Sequence, residues 1–314
     1  MIRIGIDVGG TGIQTGVVNE QGAILAEESI VTRIVLPFSE QIRLMTESVR
    51  HVIASAGFTE DQILSVGVGV PGIASKETGE IIKCPNMGWN HVPFREEWIR
   101  LLNKPLFIDN DANVAALAES VSGVSAGTSS SVFITIGTGI GSGIILNGKI
   151  WSGAHGIGAE LGHTIMKLGG VPCTCGNHGC LERYCSATAL IRMACEKAGS
   201  LSADSALLRA VNGDLSAMNA RIVIDLARNG DPVASAVFNE WTDNVSQAIA
   251  NVVNFLDPEV IVIGGGVSRA GAFLLDAINE KYPQYVVFRD QPIPEVRLAV
   301  LGPKAGIIGA AMLS

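Results

Sequence analysis

No apolar run in the sequence approaches the roughly 20 residues needed to cross a bilayer as a helix. The opening Met1-Ile2-Arg3-Ile4-Gly5-Ile6-Asp7 reads as a strand, not as the leader of an exported protein. Positive charge is also short: 22 Lys and Arg stand against 30 Asp and Glu, a formal net charge of −8. A chain that wraps nucleic acid or lies on an anionic membrane needs the opposite balance, so neither is an expected partner. Acidity does not exclude a nucleotide, because backbone amides and Mg2+ neutralise phosphate locally. Pro/Ser-rich linkers are missing as well. The 314 residues are too many for one small core, so two lobes joined by short crossings are expected, in a cytoplasmic protein.

Glycine, by contrast, is abundant: 37 residues, gathered in short clusters between apolar runs. That pattern suits tight strand-to-loop turns, some of which bind ligands through backbone N–H groups. Strands are expected at Ile2–Val8, Ile63–Val70, Pro105–Ile108, Ser131–Ile136, Glu259–Ile263 and Leu298–Leu301, with a hairpin of Thr15–Val18 and Ala23–Ile30. Helices are expected at Glu40–Ala56, where Ile42, Met45, Val49, Val52 and Ile53 share a face, and from Ala112 to Ser120. Further helices are expected at Pro232–Leu256 (entered through Asp231-Pro232), Gly271–Lys281 and Ala305–Leu313. A strand–glycine loop–strand unit occurs twice, at Ile4–Val18 and Phe133–Leu146, which suits two related lobes facing one cleft.

Two familiar phosphate-binding patterns fail on context. Gly67-x-Gly69-x-x-Gly72 lies within and just after a strand and runs into a turn, without the helix a dinucleotide fold requires. Gly143–Lys149 nearly matches a P-loop, but Ile150 replaces the hydroxyl residue that holds Mg2+. What remains is Asp7-Val8-Gly9-Gly10-Thr11 and the loop Gly137-Thr138-Gly139. Such loops offer amide donors to phosphates, and Asp7 would face the metal that accompanies the transferring group.

Asp109-Asn110-Asp111-Ala112-Asn113 puts acids and amides where a strand ends and a helix starts. Helix capping accounts for one of them. The rest exceed what a cap needs, and a phosphotransferase needs a carboxylate to accept the proton of the attacking hydroxyl. Cys173, Cys175 and Cys180 share one short glycine-containing loop, with His163 close by. Three thiolates and an imidazole would close a tetrahedral structural zinc site. Spacing leaves His155 and His178 as alternatives to His163, and three free cysteines as the plainer possibility.

Asp-x-Gly-Gly-Thr at the N-terminus, a second Gly-Thr-Gly loop, Glu160-Leu161-Gly162-His163 and the cysteine loop ending in Glu182 resemble the ROK family (repressors, open reading frames, kinases) of the actin/hexokinase superfamily. The resemblance runs over nearly the whole chain. It implies an α/β, two-lobed actin-like ATPase fold (ribonuclease H-like) with an interlobe cleft. Residues 1–111 with 300–314 would form a small α/β lobe, and 112–299 a large α/β lobe carrying the zinc loop. It assigns the catalytic base to Asp111 and sugar contacts to Asn110, Asp111, Glu160, His163, Glu182, Gly72 and Asn86. The family pattern also selects His163 as the nitrogen ligand beside Cys173, Cys175 and Cys180. ATP would meet Asp7, Gly9, Gly10, Thr11, Gly137, Thr138, Gly139 and the adenosine-side Gly265. ATP, Mg2+ and structural Zn2+ are the implied cofactors, and a homo-oligomer, dimer or tetramer, the implied assembly.

One departure is Gly12, where many relatives carry Lys, so no basic phosphate contact is expected from that loop. Repressors of the family carry a helix-turn-helix before the first strand; here the strand starts at residue 2, which favours a kinase. Cys84-Pro85-Asn86-Met87-Gly88-Trp89 resembles the Pro-Asn-x-Gly-Trp stretch of ROK glucokinases, tilting the substrate towards glucose over other hexoses and N-acetylhexosamines. A sugar-binding regulator without catalysis would have no use for Asp111. A zinc hydrolase would need an open coordination position.

Overall fold

The computed structural model describes residues 1–199 and 205–314. In chain order the elements are β1 Ile2–Val8, β2 Gly12–Val18, β3 Ile24–Val31, α1 Phe38–Ser55, β4 Ile63–Val70, β5 Ile73–Ala74, β6 Ile81–Cys84, β7 Trp89–Val92, α2 Phe94–Leu101, β8 Leu106–Asn110, α3 Asp111–Ser122, β9 Ser130–Ile136, β10 Ile140–Leu146 and β11 Lys149–Trp151. There follow α4 Glu182–Cys185, α5 Ala187–Gly199, α6 Ala206–Ala210, α7 Ala220–Arg228, α8 Pro232–Leu256, β12 Val260–Gly264, α9 Ala272–Lys281, β13 Glu295–Leu298 and α10 Ala305–Ala311. Among the described residues no helix is long and apolar enough to cross a membrane.

The chain divides into two compact units. The first comprises residues 1–133, 143–159 and 300–314, the second 134–142 and 160–299. The first therefore takes in α3 together with the C-terminal helix. Its main sheet has the order β3-β2-β1-β4-β8, antiparallel through the β1–β2–β3 meander and parallel from β1 to β4 to β8. A second five-stranded sheet has the matching order β11-β10-β9-β12-β13, and the chain passes between units within β9 and β10. The twice-repeated strand–loop–strand pattern is thus the hairpin at the heart of each sheet.

Period-two alternation explains the first unit's core. Ile2, Ile4, Ile6 and Val8 of β1 join Val66, Val68 and Val70 of β4 on one face, covered by Ile42, Met45, Val49 and Val52 of α1. On the other face the strands carry Gly5 and Gly67, and α10 lies directly on them. A Cβ at Gly67 would sit 2.6 Å from the Ala310 carbonyl carbon. The helix can approach this closely only because these positions have no side chain.

Helix α8 matches the expected Pro232–Leu256, with Asp231 Oδ1 accepting the Ala234 N–H at 2.8 Å. The last strand lies earlier than the expected 298–301. Glu119, fully buried on α3, accepts the Val300 and Leu301 N–H groups through Oε1 at 3.0 Å each. Those donors are withdrawn from any ladder, so β13 ends at Leu298. The three-stranded sheet β5-β6-β7 and helices α2 and α4–α7 were not expected from the sequence.

Gly67→Ala should cost at least about 2 kcal/mol through forced overpacking of α10 on β4. Urea denaturation of the purified variant checks this, and an unchanged midpoint would refute the close approach.

Candidate active site

In the first unit the end of β1 makes the tight turn Gly9–Thr11, closed by Gly9 N–H to Gly12 O at 2.9 Å. Thr32, just past the end of β3, straps it: its hydroxyl donates to Gly9 O at 2.6 Å and its N–H to Thr11 O at 3.2 Å. Asp7 sits two residues before the loop begins, and a Cβ at Gly306 would run into its carboxylate. Burial pushes the Asp7 carboxyl up from 3.8 to about 6, with a further push from the Asp111 carboxylate. The two predicted acids are therefore brought within electrostatic reach of each other.

The turn at the end of β8 separates the duties of its polar residues. Asp109 is buried; its Oδ1 accepts the Asn110 N–H at 2.8 Å and the Asn113 side-chain amide at 2.9 Å, and its Oδ2 pairs with Lys76 at 2.5 Å. Asn110 is the N-cap of α3, accepting the Ala112 N–H at 2.9 Å and donating to Gly72 O at 3.3 Å. Asp111 is exposed at the helix start, where the unpaired amides of the first turn favour a negative charge.

Asn86 is also exposed, and its side chain stands 3.6–3.8 Å from where a Gly10 Cβ would be. Its turn ends at Gly88 in the left-handed conformation (φ 68°) and is anchored by Trp89, whose indole N–H donates to buried Gln41 at 2.9 Å. Gly72, Asn86, Asn110, Asp111, Asp7 and the Gly9–Thr11 loop thus gather on one unit. Gly72 contributes through its backbone: its carbonyl holds Asn110, and a Cβ there would meet the Lys83 carbonyl.

In the second unit the turn Gly137–Gly139 links β9 to β10. Its outer carbonyls are fixed by one segment: Ala187 N–H donates to Gly137 O at 2.9 Å, and the Thr188 hydroxyl to Thr138 O at 2.7 Å. Glu182 Oε2 accepts the Ile140 N–H at 3.0 Å, against Gly139, where a Cβ would collide with it. The turn carrying Glu160 and His163 packs beside them, with Leu161 N–H donating to the Ser142 hydroxyl at 3.2 Å. Glu160 itself is exposed.

The ligand atoms of His163, Cys173, Cys175 and Cys180 all lie within 4.8 Å of one another. Cys175 and Cys180 sulfurs are 3.6 Å apart, and Cys173 Sγ is 3.8 Å from His163 Nδ1. Thiolates on a tetrahedral zinc ion are separated by about 3.8 Å, given Zn–S near 2.3 Å, whereas a disulfide needs about 2.0 Å. The donor set therefore fits zinc. Of the three candidate histidines the geometry selects His163, with Nδ1 towards the sulfurs. The loop reverses through Gly176 (φ 95°) and Gly179 (φ 81°), so that Cys173 N–H reaches Asn177 O at 2.8 Å.

A cavity of about 680 Å³ opens beside the same glycine turn. Gly137 and Thr138 form one wall, Gly266 and Val267 another, and Ile224 and Arg228 of α7 a third. Gly265 turns the chain at φ 82°, and a Cβ there would meet Ile136 at 2.5 Å. Arg228 ties α7 to this turn by donating to Ala270 O at 2.8 Å. The contribution of α7 escaped the sequence reading. Asn219, an N-cap that accepts the Ile222 N–H, and buried Val223, Ile224 and Ala227 were the available signal.

Comparison with known proteins matches the ROK family to residues 3–314. The glucokinase of Thermotoga maritima is 36% identical over 311 residues, which are 99% of this chain and 96% of that protein. A ROK family glucokinase from Streptomyces griseus, solved in complex with glucose and AMPPNP, is 32% identical with a TM-score of 0.81, covering 99% of this chain and 98% of that one. A ROK hexokinase from Thermus thermophilus is also 32% identical, with a TM-score of 0.83 over 99% and 97% of the two chains.

The Asp7 pKa in the folded chain lies above its ordinary value, so the linked stability is present in full at low pH and is lost as pH rises through about 6. Asp7→Asn should accordingly stabilise the ligand-free protein at pH 7.5 by about 1–3 kcal/mol. The gain should shrink below pH 6, as read from melting curves across pH. For the metal cluster, Cys175→Ser should strip the metal. Atomic emission on the purified variant checks it, and one zinc per chain retained would show that these are not the ligands.

Proposed function

The chain belongs to the ROK family, and on that premise we propose that it is an ATP-dependent hexose kinase whose substrate is glucose, phosphorylated at the 6-hydroxyl. The observation that carries the reading is Asp111: an exposed carboxylate at a helix start, beside Asn110 and in electrostatic reach of Asp7 on the loop-bearing strand. A protein that only binds sugar has no use for that base. The likeness to two glucokinases, one of them with glucose and an ATP analogue bound, supports both substrates.

In this reading adenosine occupies the cavity lined by Gly137, Thr138, Gly266 and α7, close to the turn at Gly265. The phosphates take N–H donors from Gly137–Gly139 and Gly9–Thr11, which give electrostatic stabilisation without formal positive charge. Asp7 would hold the Mg2+ that comes with ATP, and that ion would supply neutralisation of charge on the transferring phosphoryl group.

Asn110 and Asp111, with Glu160, His163 and Glu182, take the sugar hydroxyls, and Gly72 and Asn86 complete the sugar set. Asp111 accepts the proton of the 6-hydroxyl as the oxygen attacks the terminal phosphorus and ADP leaves. Glu182 spends one oxygen on the Ile140 N–H, so its reach to a hydroxyl falls to Oε1. His163, with Nδ1 given to the metal cluster, presents Nε2. A zinc ion in the cluster would fix the orientation of this imidazole, as outer partners of metal ligands do. The reading also puts the enzyme in the cytoplasm, where ATP coexists with conditions that keep cysteines unpaired.

ADP release across a panel of hexoses and N-acetylhexosamines tests the reading. Glucose should give the highest kcat/KM; glucose bound without ADP release would overturn the kinase assignment, and preference for another sugar would overturn glucose alone. Asp111→Ala should lower kcat by about 10²–10⁴-fold while glucose affinity stays within about tenfold. Turnover near the parent rate would remove Asp111 from its role.

A further inference from the structure

A second cavity, of about 600 Å³, lies wholly within the first unit on the α3–α10 face of the main sheet, along its β8 edge. Arg3, Lys76, Arg95 and Lys149 line it, against Asp109. Four cations against the Asp109 carboxylate make it net positive, on a chain whose formal charge is −8. A basic concavity in an acidic molecule concentrates anions locally.

The cations are not spent on internal pairing. Lys76 pairs with Asp109, but among the described residues Arg95 donates only to the neutral carbonyls of Lys76 and Glu77, at 2.9 and 2.6 Å, with no ion pair to compensate its charge. Among the described residues, the side chains of Arg3 and Lys149 have neither a hydrogen bond nor an ion pair. The remaining wall is apolar, built by Phe107, Leu117, Val121, Met312 and Leu313. Volume, charge and wall together describe a site for a small, doubly charged anion with an apolar body, since oriented cations bind phosphate oxygens and the apolar wall covers the rest.

We infer that this cavity is a second ligand site, separate from the sugar and nucleotide sites, that takes a small phosphate monoester. Its phosphate meets Arg3 and Lys149, and its organic part lies against Phe107 and Leu117. No bond is made or broken there.

The test uses phenyl phosphate as probe and calorimetry on the full enzyme already saturated with glucose and AMPPNP, so that the proposed catalytic site is filled. Saturable binding is expected, weakening with added salt, with phenol binding at least about tenfold less tightly. Arg3→Ala with Lys149→Ala should weaken the phosphate probe at least about tenfold while kcat and KM for glucose are unchanged. Should that pair fail to fold, Lys149→Glu on the exposed hairpin is the substitute and should give the same loss. No saturable binding, equal affinity for phenol, or undiminished binding by the folded variants would each overturn the site.

Discussion

The second unit's site depends on one short stretch of chain, Cys180 to Thr188. Its first residue belongs to the Cys/His cluster, its third accepts the Ile140 N–H, and its last two hold the carbonyls of Gly137 and Thr138. Ser186, within it, accepts the buried Trp241 indole N–H at 3.0 Å, which anchors the stretch to α8. A flexible glycine turn is a poor phosphate cradle unless its geometry is imposed from outside. Here the imposition comes through three backbone-directed bonds from residues a few positions beyond a cysteine of the Cys/His cluster. Losing the cluster would free Cys180 and so loosen the glycine turn as well as the turn of Glu160 and His163.

The parts of the molecule read correctly from sequence are those whose signal is local and repeated. Ile42, Met45, Val49 and Val52 mark α1 at helical spacing, Asp231-Pro232 marks the start of α8, and the two glycine hairpins mark the two sheets. The candidate site residues lie near those features. Other features were hidden because their cause lies far away in the chain. β13 goes no further because Glu119 takes the Val300 and Leu301 N–H groups, from 181 and 182 residues away. β5 has two residues, too few to show an alternation. The cavity beside Gly137 assembles four segments, at 137–138, 187, 220–228 and 266–270, none of which declares a pocket by itself. His163 could not be separated from His155 and His178 by spacing, because spacing does not say which ring reaches the sulfurs.

Asp7 shows the local rules being broken for a purpose. A carboxylate whose burial raises its pKa to about 6, with a second acid nearby, is a liability in a ligand-free fold. Selection for stability alone would replace it with an amide or an apolar residue. Instead, Gly306 leaves room for its carboxylate. Departures of this kind mark sites where stability has been traded for function, and this one sits at the head of the loop suited to phosphate.

The polar residues of the run Asp109-Asn110-Asp111 carry separate duties in the structure. If capping were the whole explanation, Asn110 would suffice, for it already accepts the Ala112 N–H and reaches back to Gly72. Asp109 cannot serve a ligand, being buried and committed to Asn113, Lys76 and the Asn110 backbone. Its role is to hold the turn, so that the residue after the cap projects in one direction. That residue is Asp111, whose Oδ1 also accepts the Ala112 N–H at 2.9 Å, a donor the cap has already served. An acid in that position adds little to the helix beyond its dipole contribution, on the order of 0.3–1 kcal/mol. Under the proposed kinase reading, what it would add to a hydroxyl about to lose its proton is far larger, which is why that proposal rests on this residue.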